Sequence, residues 1–171
     1  MEKALTVKIY ILILILFSFS LFLSFQNSSL YNDILIFFND PLHTIPVLAL
    51  NYTAKSLNEY FNIKKVKAYT EYPLSIDAAF NIAKERDLKY LLEIKTNLLN
   101  YSRTSSGYSV KIEVITSSYI LNDYNPKNTA IDTGISENAL SLDIAFAYAL
   151  YDGSIKAINK IEKEFLALIQ K

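Results

Sequence analysis

Two long alternating runs organise the chain. In the first, Leu88, Tyr90, Leu92, Ile94, Thr96 and Leu98 share one face, and Lys89, Glu93, Lys95 and Asn97 share the other, with Leu91 and Leu99 as exceptions. In the second, Tyr108, Val110, Ile112, Val114 and Thr116 lie on one face, with Ser109, Lys111, Glu113 and Ser117 opposite. A period of two over such lengths predicts strands with one buried face, and the short polar loop containing Gly107 predicts an antiparallel hairpin. A five-residue loop from Arg103 to Gly107 places Leu98 opposite Ile112 and Thr96 opposite Val114. A slip of one residue would turn every apolar side chain to the wrong face.

Elsewhere the period lengthens. Val47, Leu50, Ala54, Leu57 and Phe61 recur at steps of three and four, one helical face, with Thr44 as its cap and Pro46 in its first turn. A second helix starts at Ser75 and turns Ile76, Ala79, Phe80 and Ala83 inward. Asp33 to Phe38 is a continuous apolar run of strand length, and Lys65 to Tyr72 alternates up to Pro73. After the hairpin, Asn122 to Gly134 is expected as loop, with a short edge strand near Thr129 to Thr133. Ser136 is expected to cap a final helix that Asp152-Gly153 interrupts and that Ile155, Ile158, Ile161, Phe165 and Leu168 continue.

The fold class is therefore α/β (α+β), in the order β-α-β-α-β-β-(β)-α. Two strand–helix–strand crossovers imply parallel pairing, and the hairpin adds antiparallel strands, giving one mixed sheet with helices packed on it.

The start of the chain is different. Ile9 to Phe25 is free of charge and follows Lys3 and Lys8. At about 1.5 Å per residue this run spans nearly the thickness of a bilayer's hydrocarbon core. It reads as an uncleaved anchor, the alternative being a signal peptide cut after Ser18-Phe19-Ser20. Either way the basic flank stays inside and the remainder is exported. The expected division is residues 1–26 as signal anchor or signal peptide, 27–32 as linker, and 33–171 as a single extracytoplasmic domain.

Composition removes several functions. Lys plus Arg and Asp plus Glu each number 17, so no basic footprint for nucleic acid exists. No cysteine is present, which excludes disulfides, thiolate metal sites, cysteine nucleophiles and lipid modification on cysteine. Walker, dinucleotide, Gly-x-Ser-x-Gly, His-Glu-x-x-His and Ser-x-x-Lys motifs are all missing.

The run Asp77-Ala78-Ala79-Phe80-Asn81-Ile82-Ala83-Lys84, then Leu88-Lys89-Tyr90-Leu91-Leu92-Glu93-Ile94, resembles a pattern in bacterial envelope proteins. There an alanine-rich helix leads into a hairpin whose second strand reads like Lys111-Ile112-Glu113-Val114. The amino-terminal domain of TolB, LpoB-type activators of penicillin-binding proteins, CsgG-like secretion components and small envelope lipoproteins are of this kind. The resemblance covers roughly residues 34–120 and rests on element order and apolar positions. It implies an envelope location and a role as an accessory module, and it carries over no catalytic residue.

Candidate chemistry is sparse. His43 is the only histidine, so an exported hydrolase would have to use it with acidic residues. Asp132, Glu137 and Asp143 cluster in sequence, where carboxylates suit a helix start and a solvated face. The hairpin tip offers more. Tyr101, Arg103 and Tyr108 combine aromatic area with hydrogen-bonding tips, which recognition surfaces favour, and Tyr119 and Tyr124 extend the set. The expected role is a non-catalytic binding protein of the bacterial envelope, anchored in the inner membrane through residues 9–25. Its domain would lie in the periplasm, reached alternatively by secretion after cleavage. It would need no cofactor or metal and bind no nucleic acid. The partner would be another envelope protein, or a second copy of the chain through a sheet edge or the hairpin.

Overall fold

The computed structural model describes residues 32–72 and 75–170. The apolar run at residues 9–25, with the anchor and cleavage readings attached to it, lies outside them. No helix among the described residues is long and apolar enough to cross a membrane.

The elements are β1 (Ile34–Asn39), α1 (Val47–Ile63), β2 (Ala68–Glu71), α2 (Ile76–Glu85), β3 (Tyr90–Thr104), β4 (Gly107–Ile120), β5 (Asp123–Ala139) and α3 (Leu142–Ile169). The five strands form one mixed sheet in the order β2-β1-β3-β4-β5. β1 pairs in parallel with both β2 and β3, while β3–β4 and β4–β5 are antiparallel. The expected mixed sheet is thus present, with β1 inside it and buried on both faces. Its residues Ile34 to Phe38 are all inaccessible to solvent, as their unbroken apolar run requires.

Successive crossovers put α1 and α2 on opposite faces. The face under α1 and α3 carries the main core, including Ile36, Phe38, Leu57, Phe61, Leu92, Ile94, Ile112, Leu150, Ile158 and Phe165. A smaller core under α2 holds Leu35, Phe37, Ala79, Phe80, Ala83, Leu88, Leu91 and Tyr119. Leu91, out of phase in the sequence pattern, is in phase with this second layer.

Local chemistry sets the boundaries. The Ser75 hydroxyl accepts from the Ala78 N–H and starts α2 as expected. Thr44 does not cap α1. Its hydroxyl instead donates to Asp40, whose other carboxylate oxygen takes the Ile45 N–H at 2.8 Å, and the helix begins only after Pro46. The expected face of α1 holds from Leu50 onward, and only its first position changes. Ala49, Leu50, Thr53, Ala54, Leu57 and Phe61 are buried, whereas Val47 is 63% exposed.

The third part of the chain departs furthest from the sequence reading. The short edge strand expected near Thr129 to Thr133 is there, but it is part of β5, a strand of 17 residues from Asp123 to Ala139 that takes in nearly all of the expected loop. Ser136 is buried within it, and Ser141 caps α3 by accepting from Ile144 N–H. Asp152-Gly153 does not interrupt α3, which runs unbroken for 28 residues. Its glycine serves contact instead. A Cβ on Gly153 would lie 2.8 Å from the Gly134 nitrogen, and one on Gly134 would lie 1.7 Å from the Ala149 carbonyl oxygen. Gly134 and Gly153 therefore let α3 lie against β5 backbone to backbone. Most inward positions of β5 are small for the same reason, Ala130, Gly134, Ser136 and Ala139, while Asp132 among them pairs with Lys160 of α3.

The hairpin register also holds a correction. Leu98 does face Ile112 and Thr96 faces Val114, as the alternation requires. The connection, however, is a two-residue turn, Ser105-Ser106, with Thr104 opposite Gly107. The remaining residue is taken up by a bulge at Leu99, so the parity of β3 changes beyond it.

Candidate binding surface

β1 ends opposite Lys95, yet β3 continues to Thr104. At about 3.3 Å per residue this leaves an arm of roughly 30 Å in which β3, β4 and β5 run without β1 or β2 beside them. The bulge decides which side chains the arm presents. Without it Tyr101 and Arg103 would alternate with Leu98 onto the opposite face. With it Tyr101 opposes Val110 and Arg103 opposes Tyr108, and directly opposed residues share a face. Val110 and Tyr108 belong to the layer packed under α3, so Tyr101 and Arg103 stand on that same side.

There they are accessible. Tyr101 is 60% exposed, Arg103 is exposed and Tyr108 is half-buried. The Arg103 guanidinium carbon lies 5.4 Å from the Tyr108 ring centroid, within cation–π range. This contact orients the guanidinium while leaving its donors free to meet a partner.

The end of the arm is fixed rather than loose. Thr104 and Ser106 hydroxyls lie 2.9 Å apart, and the Thr104 hydroxyl donates to the Gly107 carbonyl at 3.2 Å. The Ser106 hydroxyl donates to the Asn138 side chain at 2.6 Å, tying the turn to the end of β5. Gly107 has φ +141°, and a Cβ there would lie 2.6 Å from the Ala139 carbonyl oxygen, so this position needs glycine.

Tyr119 is not part of the arm surface. It is buried under α2, its ring edge-on to Phe80, and its hydroxyl donates to Glu93 at 2.7 Å. Asn39 donates to the other Glu93 oxygen at 2.7 Å, so this carboxylate, only 7% exposed, has both oxygens satisfied. Burial, then the bond to Glu93, pushes the Tyr119 phenol far above its ordinary range. Tyr124 stacks on Phe80 at 4.4 Å, near the other end of the sheet. The structure thus brings together Tyr101, Arg103 and Tyr108, places Tyr119 in the core and sets Tyr124 apart from the arm.

His43 is exposed in the loop before α1, at φ +50°. No hydrogen bond to its imidazole occurs among the described residues, and the nearby Asp40 carboxylate is committed to Thr44 and Ile45. Asp132 pairs with Lys160 at 2.9 Å, and that bond holds its carboxyl below the usual range. Glu137 and Asp143 are exposed on separate elements. Among the described residues no group of three His, Cys, Asp or Glu side chains could hold a metal ion.

Away from α2, no helix among the described residues covers the other face of the arm. Leu99, Ile131 and Ile135 are exposed there between Lys95, Lys111 and Glu113. Sequence reasoning missed this face because it expected only a short edge strand near Thr129 to Thr133 within a loop. Its only signal was Ile131 and Ile135, four residues apart on a strand whose inward residues are too small to show alternation.

No known family profile matches the chain, and no curated protein sequence matches it. Solved structures do match. The PelC dodecamer from Paraburkholderia phytofirmans aligns over 73% of this chain and 86% of its own, at 11% identity and a TM-score of 0.51. A second crystal form of PelC, carrying one substitution, aligns over 72% and 86% with a TM-score of 0.50 at the same identity. Lipoprotein GNA1162 from Neisseria meningitidis aligns over 77% of this chain and 99% of its own, at 8% identity and a TM-score of 0.41. The likeness to PelC establishes a shared fold.

Proposed function

We propose that the chain is a non-catalytic binding module of the bacterial cell envelope that acts by protein–protein contact through the β3–β4 arm. The observation that carries this reading is the surface formed by Tyr101, Arg103 and Tyr108 on an arm that runs past the rest of the sheet. Large aromatic area beside an oriented guanidinium is the composition of an interface anchor. An arm tied at its turn by Thr104, Ser106 and Asn138 loses little freedom on binding, which favours affinity. The envelope location rests on the apolar, basic-flanked start and on the resemblance to envelope accessory domains. PelC crystallises as a dodecamer, so self-association is one form the contact can take on this fold.

The reading is tested with Arg103→Ala combined with Tyr108→Ala in the full-length protein. Loss of an interface anchor costs about 2 kcal/mol or more, roughly thirtyfold in affinity, whereas a surface change alters stability by no more than about 0.5 kcal/mol. Recovery of the partner from detergent extract should therefore fall sharply while thermal stability barely moves. Unchanged recovery would refute the arm as the contact surface.

A further inference from the structure

The sheet has two edges, β2 and β5, and they are treated differently. The β5 edge is occupied by the chain's own last helix. Lys160 donates to the Ile131 carbonyl at 2.7 Å, Lys156 reaches the Thr133 carbonyl at 3.5 Å, and the Ile135 N–H donates to Asp152 at 3.3 Å. Groups that could template a further strand are thereby consumed, a device natural sheets use against edge pairing.

β2 has no such cover among the described residues. The Ile34 N–H donates to the Lys67 carbonyl at 3.0 Å, which in a parallel ladder turns the backbone groups of residues 67, 69 and 71 toward β1. Those of Ala68 and Thr70 point the other way, and among the described residues β1 is the only strand paired with β2. Beside this edge, between β2 and α1, lies an open groove of about 520 Å³. Its α1 wall is polar: Asn51, Lys55, Asn58, Glu59 and Asn62. Asn58 and Asn51 accept from the hydroxyls of Thr70 and Tyr72, which leaves their amide N–H groups to be given away. A wall of carboxamides and charges of both signs suits main chain and a like surface, not an apolar small molecule.

We propose that the free edge of β2 pairs antiparallel with the same edge of a second copy across a two-fold axis, joining the two sheets into one. The same edge on both copies makes the contact isologous. The outward-facing residues must meet each other, which restricts the register. Ala68 opposite Thr70 of the second copy sets Lys67 against Glu71 of that copy, twice over, with Tyr69 on the axis facing its own equivalent. Ala68 opposite Ala68 would set Lys67 against Tyr69 and Glu71 against Lys65, which sits in the turn before the strand at φ +61°, and Thr70 opposite Thr70 would set Glu71 against Tyr69, so neither pairs opposite charges along the extended run. Complementarity therefore selects the first register. Glu71 also holds Arg86 of its own chain, and Lys67 lies over the Tyr69 ring at 4.6 Å, so both charges are already held at the edge. The proposal does not depend on the arm, which lies on the far side of β1.

The chain has no cysteine, so the register can be read with one. At a non-hydrogen-bonded antiparallel position the two Cα atoms are about 4.5 Å apart, within the reach of a disulfide. Full-length Tyr69→Cys in detergent should convert to a disulfide dimer under mild oxidation, while Ser106→Cys at the arm turn should not. Adding Thr70→Pro to Tyr69→Cys removes an outward donor that no described residue of the monomer accepts, and should abolish the dimer without changing the melting of the helices. Lys67→Glu should also abolish it, and Lys67→Glu with Glu71→Lys should restore it, which keeps the test valid if the proline variant misfolds. A Tyr69→Cys protein that stays monomeric, or cross-links no faster than Ser106→Cys, would overturn the edge dimer. Cross-linking at Ser106 alone would do the same while supporting association through the arm.

Discussion

Individual residues carry more of this fold than their types advertise. Gly134 is an example. A Cβ there would meet both the Ala149 carbonyl and the Gly153 nitrogen, so α3 would have to move off β5. Gly134→Ala is expected to destabilise by about 3 kcal/mol, the upper end for overpacking, measured by chemical denaturation. A loss under about 1 kcal/mol would show that helix and strand are not locked together there. Glu162 makes a second case. It receives Lys64 at 2.6 Å and the Tyr60 hydroxyl, joining the ends of α1 and α3. Burial alone would raise its carboxyl, but the bonds from Lys64 and Tyr60 outweigh that and the net direction is downward. A depressed folded value means stability that is present above the unfolded glutamate range and is lost as pH falls through the folded one. Glu162→Gln should therefore lower the melting temperature at neutral pH, by no more than about 1 kcal/mol equivalent, and should make no difference in strong acid. An equal deficit at both pH values would contradict the ion-pair account.

Elements whose buried side chains are large were legible in the sequence. β1, α2 and the two hairpin strands each show their face through Ile, Leu, Val or Phe at the proper period, and their pairing follows from it. β5 was not legible. Its inward positions are Ala, Gly and Ser, with one Asp, because α3 approaches closely, and its large residues Ile131 and Ile135 point outward, which inverts the usual pattern. The same approach hid the continuity of α3, since Asp152-Gly153 looks like a break until Gly134 is seen opposite. The arm surface was half legible. Tyr101, Arg103 and Tyr108 could be named from composition, but their shared face depends on the bulge at Leu99, and the Leu98-Leu99 pair marks only that alternation fails. Tyr119 was misplaced because a tyrosine at the end of a strand looks exposed until Glu93 and Phe80 are found around it. At this scale the capped edge makes a prediction. Lys156→Ala with Lys160→Ala uncovers the Thr133 and Ile131 carbonyls and should increase concentration-dependent light scattering with little change in melting. Scattering equal to the unmodified protein would mean that the lysines do not guard the edge.

At the scale of the whole molecule, helices cover the sheet unevenly, and that unevenness is the basis of the functional reading. α1 and α3 seal one face and α2 seals part of the other. The arm is left projecting, with Tyr101 and Arg103 accessible beside a half-buried Tyr108. The most direct measurement replaces Tyr101 with a photoreactive phenylalanine derivative in the full-length protein in its native cells. On irradiation, a discrete covalent adduct with one envelope protein or with a second copy is expected from position 101. None is expected from position 119, where the side chain is enclosed by Phe80 and Glu93. Adducts absent at 101, or equally abundant from 119, would contradict the arm as the working surface of this protein.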